Sequence, residues 1–356
     1  MNPAQIPHQR LHHQNISNHQ FSAPVEIVSW LGALQGQDYP GAKWSLGLRL
    51  PHITETEVEQ AILDKKIVRS WLMRGTLHLV AAEDLRWMLE LLRERNIAGA
   101  RSRHKQLKLD EDTFKSSQKV LHKILKKENA LERKDIFEHF EKANITLEGN
   151  RGYHILWRAA HDGVICFGPM RGKQPTYVLL DEWVPEGEEL DLDEALAELA
   201  RRYFQARGPA TLEDFAWWSS LTLTDARAGL EAIRSKLQEM VFDEQSYWMF
   251  DSGAPTSEKD AYLLSSFDEY LLGYTDRSTV LDHENAKKVQ PGHSGTFRPT
   301  IVIDGQVAGT WKQTLKKNTV TIETSPFTKF TKAQSKAIAE AAKRYGQYLG
   351  KEAVLV

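Results

Sequence analysis

Apolar positions along the chain switch between a helical period and a strand period, and the switch recurs three times. In residues 11–80, Ile27, Trp30, Leu31 and Leu34 fall on one helical face, and Thr54-Glu55-Thr56-Glu57 has the form of a capping box opening a helix to Lys66. Residues 68–80 then alternate around a Gly-containing turn, the pattern of a hairpin. Helices are predicted next near 113–127, 132–143 and 150–161, followed by strands at 163–167 and 176–180 joined by the basic, Gly-rich loop 168–173. A third set, near 192–206, 212–219 and 225–240, closes with the extended segment 241–250.

Three helices followed by a two-stranded wing is the winged variant of the helix-turn-helix, whose third helix can enter a major groove. After Asp251 the pattern becomes short strands at 261–270, 300–303, 306–311 and 318–322, with Asp304-Gly305 as a tight turn and a last helix over 332–349. The expected fold is mainly α with β: three tandem winged helix-turn-helix units at 1–100, 101–185 and 186–250, then a small β-barrel or sheet domain at 251–356. The acidic run 181–194, which contains Pro185 and Gly187, reads as an interdomain linker.

Composition narrows the function classes. The 356 residues are 41% hydrophobic and 26% charged, enough for several compact units with a sizeable core. One cysteine, Cys166, excludes an internal disulfide framework and a cysteine-based metal site, which suits a reducing compartment. Neither a signal peptide nor a membrane span is predicted, and the His-, Gln- and Asn-rich residues 1–20 read as a mobile terminus holding His12, His13 and His19 without ligand spacing. The net charge of −2 gives no global support for nucleic-acid binding, but lysines and arginines concentrate at 101–134 and 312–344. Either run, taken alone, is equally a solvated helix face.

The most telling local chemistry is Gln35-Gly36-Gln37 followed by Asp38, Tyr39 and Pro40. On a continuous helix, positions i and i+2 lie about 200° apart, so these amides could not share a site. A helix ending at Gly36 in the left-handed conformation, with Pro40 blocking continuation, would put Gln37 in an extended turn beside Gln35. Two neutral amides could then converge on one substrate atom or one water.

Several strings resemble one family when taken together and in order. They are Gln35-Gly36-Gln37-Asp38 with Trp44, Trp71-Leu72-Met73-Arg74-Gly75-Thr76-Leu77-His78, and Gly208-Pro209-Ala210-Thr211 before Trp217 and Trp218. Phe267-Asp268-Glu269 with Gly273-Tyr274-Thr275-Asp276-Arg277-Ser278, and Arg298-Pro299 with Gly309-Thr310-Trp311, complete the set. Over nearly the whole chain this resembles the AlkZ/YcaQ-type winged-helix DNA glycosylases. The resemblance implies three tandem winged helices closed by a C-terminal β-barrel, and removal of N7-alkylated purines and some interstrand crosslinks from DNA. The family signature is Gln, an aliphatic residue, then Gln or Asp; here Gly36 stands at the middle position.

The resemblance makes Gln35 and Gln37 the catalytic candidates, Gln37 positioning water and sugar with Gln35 as its partner. Arg74, His78, Arg277, Arg298 and Lys312 are candidate DNA-binding residues. For His78 the competing role is a structural histidine. For Arg277 and Arg298 it is an ion pair with Asp268, Glu269 or Asp276. Trp217 and Trp218 read as core. Neither cofactor nor metal is expected, and with Lys43 the only lysine near the glutamines in sequence, no Schiff base is expected either. The implied protein is a monofunctional glycosylase acting as a monomer on double-stranded DNA with alkylated or crosslinked purines, off the membrane, in the cytoplasm and nucleoid-associated. The alternative is a noncatalytic winged-helix DNA-binding protein or regulator.

Overall fold

The computed structural model describes residues 5–187, 189–251, 253, 260–292 and 295–356. In chain order the elements begin with α1 (Ile6–His13), α2 (Pro24–Leu31), β1 (Leu34–Gln35), α3 (Tyr39–Arg49), α4 (Glu55–Leu63), β2 (Ile67–Trp71) and β3 (Leu77–Ala81). Then come α5 (Ala82–Gln106), α6 (Glu111–Glu128), β4 (Leu131–Glu132), α7 (Arg133–Lys142), α8 (Arg151–His161), β5 (Ile165–Arg171), β6 (Gln174–Leu179) and α9 (Leu180–Trp183). The third stretch holds α10 (Leu192–Arg207), α11 (Leu212–Ser219), α12 (Leu223–Ile233), β7 (Gln238–Phe242) and β8 (Gln245–Met249). The last holds β9 (Ala261–Leu264), α13 (Glu269–Leu272), α14 (His283–Val289), β10 (Thr300–Ile303), β11 (Gln306–Leu315), β12 (Thr319–Pro326), α15 (Lys332–Tyr348) and β13 (Glu352–Leu355).

Helices followed by an antiparallel hairpin thus occur three times, at β2–β3, β5–β6 and β7–β8. The third hairpin differs in register from expectation: α12 stops at Ile233, and Met240 lies in β7. By packing, the chain forms two compact units, Met1–Gln60 with Leu196–Val356, and Ala61–Ala195.

In the discontinuous unit, an aromatic cluster of Tyr203, Phe204, Phe215 and Trp218 is fully buried. Beside it runs a five-stranded sheet of order β13-β12-β11-β10-β9. Only β12–β13 is parallel, and β9 and β13 form its two edges, so the sheet is open and not a closed barrel. The β10–β11 turn carries Asp304 and Gly305 at φ 53° and 75°, the left-handed pair that such a two-residue connection needs. Residues 5–20 are not a mobile terminus. They include α1, from which Arg10 Nε donates to the Pro209 carbonyl (3.0 Å) while the guanidinium lies 3.6 Å from the Tyr274 ring centroid. His13 is buried against the Gln205 carbonyl at 3.0 Å, and desolvation lowers its pKa to about 4. Residues 1–4 of that expected terminus lie outside the described residues.

In the second unit, β3-β2-β5-β6-β4 form a sheet against which α5 to α8 pack, with Trp71, Phe114, Phe140, Trp157 and Phe167 in the core. The expected loop 168–173 is mostly strand: β5 and β6 run on to Arg171 and Gln174 past a bulge. The acidic run is helical at both ends, in α9 and α10, and residues 184–187 and 189–191 between them are neither helix nor strand; Glu188 lies outside the described residues.

In the first two units the helix before the hairpin offers little to a groove, whereas α12 of the third exposes Thr224, Arg227, Ala228 and Glu231. On α4, Glu57 is exposed and caps its own helix through Thr54, while Glu55 and Glu59 hold Lys43. No residue of α8 is exposed. Its Arg151 donates to the carbonyls of Thr146 (2.8 Å) and Lys108 (2.7 Å), and its Arg158 forks onto Glu111 at 2.9 and 3.0 Å.

Candidate active site

The glutamine pair is positioned by a helix stop earlier than the sequence pattern suggested. Helix α2 ends at Gly32, whose φ of 72° suits glycine, and the chain is already extended at Leu34 and Gln35. The strand covers only Leu34 and Gln35, and Gly36 has no positive φ, so the chain passes from strand to a bend at Gln37 without the expected left-handed turn at Gly36. The segment ends where Asp38 caps α3, accepting from the Gly41 N–H at 3.2 Å.

The two amides are not equivalent. Gln35 is buried, and its Oε1 accepts a hydrogen bond from the Gln37 backbone N–H at 3.1 Å. Its own backbone N–H donates to Glu269 Oε1 at 3.1 Å. Gln37 is exposed. One glutamine is thus anchored and braces the backbone of the next, whose amide faces outward.

Behind Gln35 lies a buried ionic layer. Arg207 and Glu269, both fully buried, pair at 2.6 Å, and Trp218 Nε1 donates to the same Glu269 oxygen at 3.0 Å. Arg207 also donates to the carbonyls of Leu31 (2.7 Å) and Ala33 (3.0 Å), so one guanidinium fastens the end of α2 to α13. A second pair, Arg49–Asp268, is bidentate at 2.8 Å, with Ser45 Oγ donating to Asp268 at 2.7 Å. Burial pushes the Asp268 carboxyl up, but the charge and hydrogen bonds of Arg49, with those of Ser45 and Tyr270, outweigh it and hold the pKa below the ordinary range. Buried charges persist only when paired and hydrogen-bonded in this way, and the geometry of Leu31 to Gln35 follows from it.

The remaining candidates fall as follows. Arg277 does not pair with Asp268 or Glu269, which Arg49 and Arg207 occupy. It donates to the carbonyls of Leu271 (2.7 Å) and Thr275 (3.3 Å), and its guanidinium lies 5.5 Å from the Trp217 ring and 5.1 Å from Phe297. Burial lowers its pKa, opposed by Asp214 and Asp276. Arg298 is exposed just before β10. Lys312 is exposed on β11 and pairs with its cross-strand neighbour Glu323 at 2.7 Å. In the second unit, Arg74 is half-buried in the β2–β3 turn with φ 55°. His78 is fully buried on β3, its Nδ1 3.0 Å from the Thr76 carbonyl. Trp218 is core as expected. Lys43 is committed to Glu59 (2.8 Å) and Glu55 (2.9 Å); desolvation would lower its pKa, but these pairs raise it. Among the described residues no cluster of three or more His, Cys, Asp or Glu has metal-binding geometry, and no helix is long and apolar enough to cross a membrane.

The model of the family described as "DNA glycosylase AlkZ-like" matches residues 28–348. The chain belongs to this family. It is similar to the "Interstrand DNA cross-link repair glycosylase" of Streptomyces sahachiroi, 26% identical over 309 residues that cover 81% of each chain. The solved structure of the Streptomyces sahachiroi DNA glycosylase AlkZ has the same fold, with a TM-score of 0.78 at 23% identity over 99% of each chain. Within this member of the family, most strings that carried the resemblance build scaffold. Trp44 and Trp311 donate to the carbonyls of Leu263 (2.7 Å) and Leu264 (2.8 Å). Asp214, capping α11 through Thr211, also accepts from the backbone and hydroxyl of Thr275 at 2.8 Å. Arg207 and Arg49 were not identified from the sequence; the only signal was that their carboxylate partners adjoin in Phe267-Asp268-Glu269.

Proposed function

We propose that the protein hydrolyses the N-glycosidic bond of N7-alkylated purines in double-stranded DNA and unhooks interstrand crosslinks, as a monofunctional glycosylase built on three winged-helix units (1–100, 101–185, 186–250) and a C-terminal sheet domain (251–356). The observation that carries the reading is the outward amide of Gln37 beside an anchored Gln35. An N7-alkylated purine is already cationic, so the departing base needs little help from an acid. The remaining task is to stabilise an oxocarbenium-like sugar and to place a water at C1′, which is positioning and electrostatics. A glutamine carbonyl does both without becoming charged, turning its negative dipole end to the sugar while accepting from the water. Gln35 acts through Gln37 by fixing its backbone.

The commitment of Lys43 to two carboxylates supports hydrolysis over a Schiff-base route, because a paired ammonium has no lone pair to attack C1′. Arg277 is not ion-paired among the described residues and lies against two aromatic rings, which suits a phosphate clamp with exposed Arg298 nearby in sequence. Half-buried Arg74 and exposed Lys312 complete the proposed DNA contacts, Lys312 exchanging Glu323 for phosphate, whereas fully buried His78 fits the structural role better. The crosslink substrate is supported by the name of the Streptomyces sahachiroi relative. Against the noncatalytic operator-binding alternative, the acidic α4 and the largely covered α8 offer little to a major groove, which leaves the exposed face of α12 for such contacts.

The deciding experiment measures abasic-site formation in a duplex with one N7-methylguanine, beside a crosslinked duplex, for the wild type and Gln37→Ala. Release by the wild type, reduced about 100-fold or more in the variant with DNA binding retained, is expected for lost positioning at the reacting centre. No release from either substrate by the wild type overturns the reading.

A further inference from the structure

Helix α6 carries Lys115, Lys119, Lys123 and Lys126, all exposed, opposite a buried face of Phe114, Leu121, Ile124 and Leu125. From Thr113 to Lys127 the chain contains no Asp or Glu. Helical geometry sets the lysines of an i, i+4 pair about 6 Å apart along one side. The neighbouring carboxylates flank the row rather than interleave it: Asp112 precedes it, and Glu111, though close enough to feel Lys115, is hydrogen-bonded to Arg158 at 2.9 Å. Glu132 lies 3.5 Å from Lys134, and Glu128 lies 3.8 Å from His139. None of the four lysines has an ion-pair partner among the described residues.

A merely solvated helix gains from interleaved signs at i, i+4, whereas like charges at that spacing repel. The helix C-terminus favours Lys126, but it does nothing for Lys115 and Lys119 two turns or more away. A polyanion explains the whole row. Each strand of a duplex presents a phosphate about every 3.4 Å of axis, so lysines about 6 Å apart meet roughly every second one.

We propose that α6, the first helix of the second repeat, is the backbone-contacting surface of that repeat, with Lys115, Lys119, Lys123 and Lys126 neutralising phosphates along one strand. The third helix, α8, cannot serve, since α5 and α6 pack on it and its arginines are bound internally. The inference rests on duplex DNA being the substrate, as proposed above, but not on the chemistry at Gln37.

The test is the salt dependence of binding to undamaged duplex. Each phosphate contact contributes about 0.9 to the slope of log K against log salt concentration. The variant combining Lys115→Gln, Lys119→Gln, Lys123→Gln and Lys126→Gln should lower the slope by about 3 to 4, with the thermal unfolding curve unchanged. A control removes four other exposed charges on and before α15, by Lys329→Gln, Lys332→Gln, Lys336→Gln and Lys343→Gln, and should keep a slope within about 1 of the wild type. An unchanged slope in the α6 variant, or an equal loss in the control, overturns the proposal. A wild type that fails to bind duplex at all overturns instead the DNA reading beneath it, and base release from the alkylated duplex is scored separately.

Discussion

At the residue scale, Glu269 and Gln37 should separate structure from chemistry. Glu269→Gln removes the charge facing Arg207 and presents an amide N–H₂ to a site filled with donors from Arg207, Trp218 and Gln35. Leaving one member of a buried pair uncompensated costs about 3–5 kcal/mol. For a chain of this size that is a fall in Tm of about 4–7 °C, measurable by calorimetry. Gln37→Ala, at an exposed position, should move stability by no more than about 0.5 kcal/mol while base release falls. A Gln37→Ala protein as unstable as Glu269→Gln would make the glutamine structural. The pair Gln35 and Gln37 was legible because two amides two residues apart beside glycine and proline are a local pattern. Its anchor was not, since Gln35 and Glu269 lie 234 residues apart and no local pattern couples them. The apolar face running to Leu34, with Gly36 and Pro40 after it, points to a stop at Gly36, whereas the stop falls at Gly32, where Arg207 holds the Leu31 and Ala33 carbonyls beside Glu269.

At the element scale, α5 and α8 share a layer of histidines. His104 lies 5.3 Å from His154 and 5.7 Å from Trp157, and His161 lies 3.9 Å from Trp157, ring centre to ring centre. His104 Nε2 and His154 Nδ1 are buried without a hydrogen-bonding partner among the described residues, while His161 is held by the Trp157 and Leu72 carbonyls. Desolvation lowers the pKa values of His104 and His161 to about 4. In the unfolded chain both protonate near 6.5. Between pH 6.5 and 4 the unfolded state therefore binds more protons, and stability is full above that window and falls as pH drops through it. The urea midpoint should be lower at pH 5 than at pH 7, and His104→Leu with His161→Leu should reduce the difference, leaving the part that buried His13 contributes. An equally steep dependence in the double variant would place the effect elsewhere. The same layer explains why α5 was missed. Its apolar spacing through Leu85, Met88, Leu89 and Leu92 is interrupted by buried Asn96, which donates to the Leu72 carbonyl at 2.7 Å, and by buried His104. Polar residues at core positions hide the helical period, whereas α6, with clean segregation of Leu, Ile and Phe from Lys, was placed within two residues at its start and one at its end.

At the scale of the whole molecule, a linear reading of helices then hairpin suggested units following one another, but packing joins residues 1–60 to 196–356. The ties are internal to that unit and mostly buried: Arg49 with Asp268, Arg10 with Pro209 and Thr279, Trp44 with Leu263, and Tyr270 with Pro7 and Gly305. Such contacts carry no signature in local periodicity, because each partner looks like an ordinary capped or half-polar position until both are folded. They have a direct consequence for a chain cut between the units. A specific protease site placed after Glu189, in the exposed segment between α9 and α10, would separate the chain into two covalent pieces, each holding part of the discontinuous unit. Neither piece could satisfy its buried charges alone, since Arg49 and Asp268 lie on opposite sides of the cut, as do Gln35 and Glu269. An unpaired buried charge costs several kcal/mol, so the pieces should stay together under native conditions, elute from gel filtration as one species and separate only in denaturant. Two separate folded species after cleavage would mean that each segment is complete by itself and that the buried ionic layer does not hold the unit together.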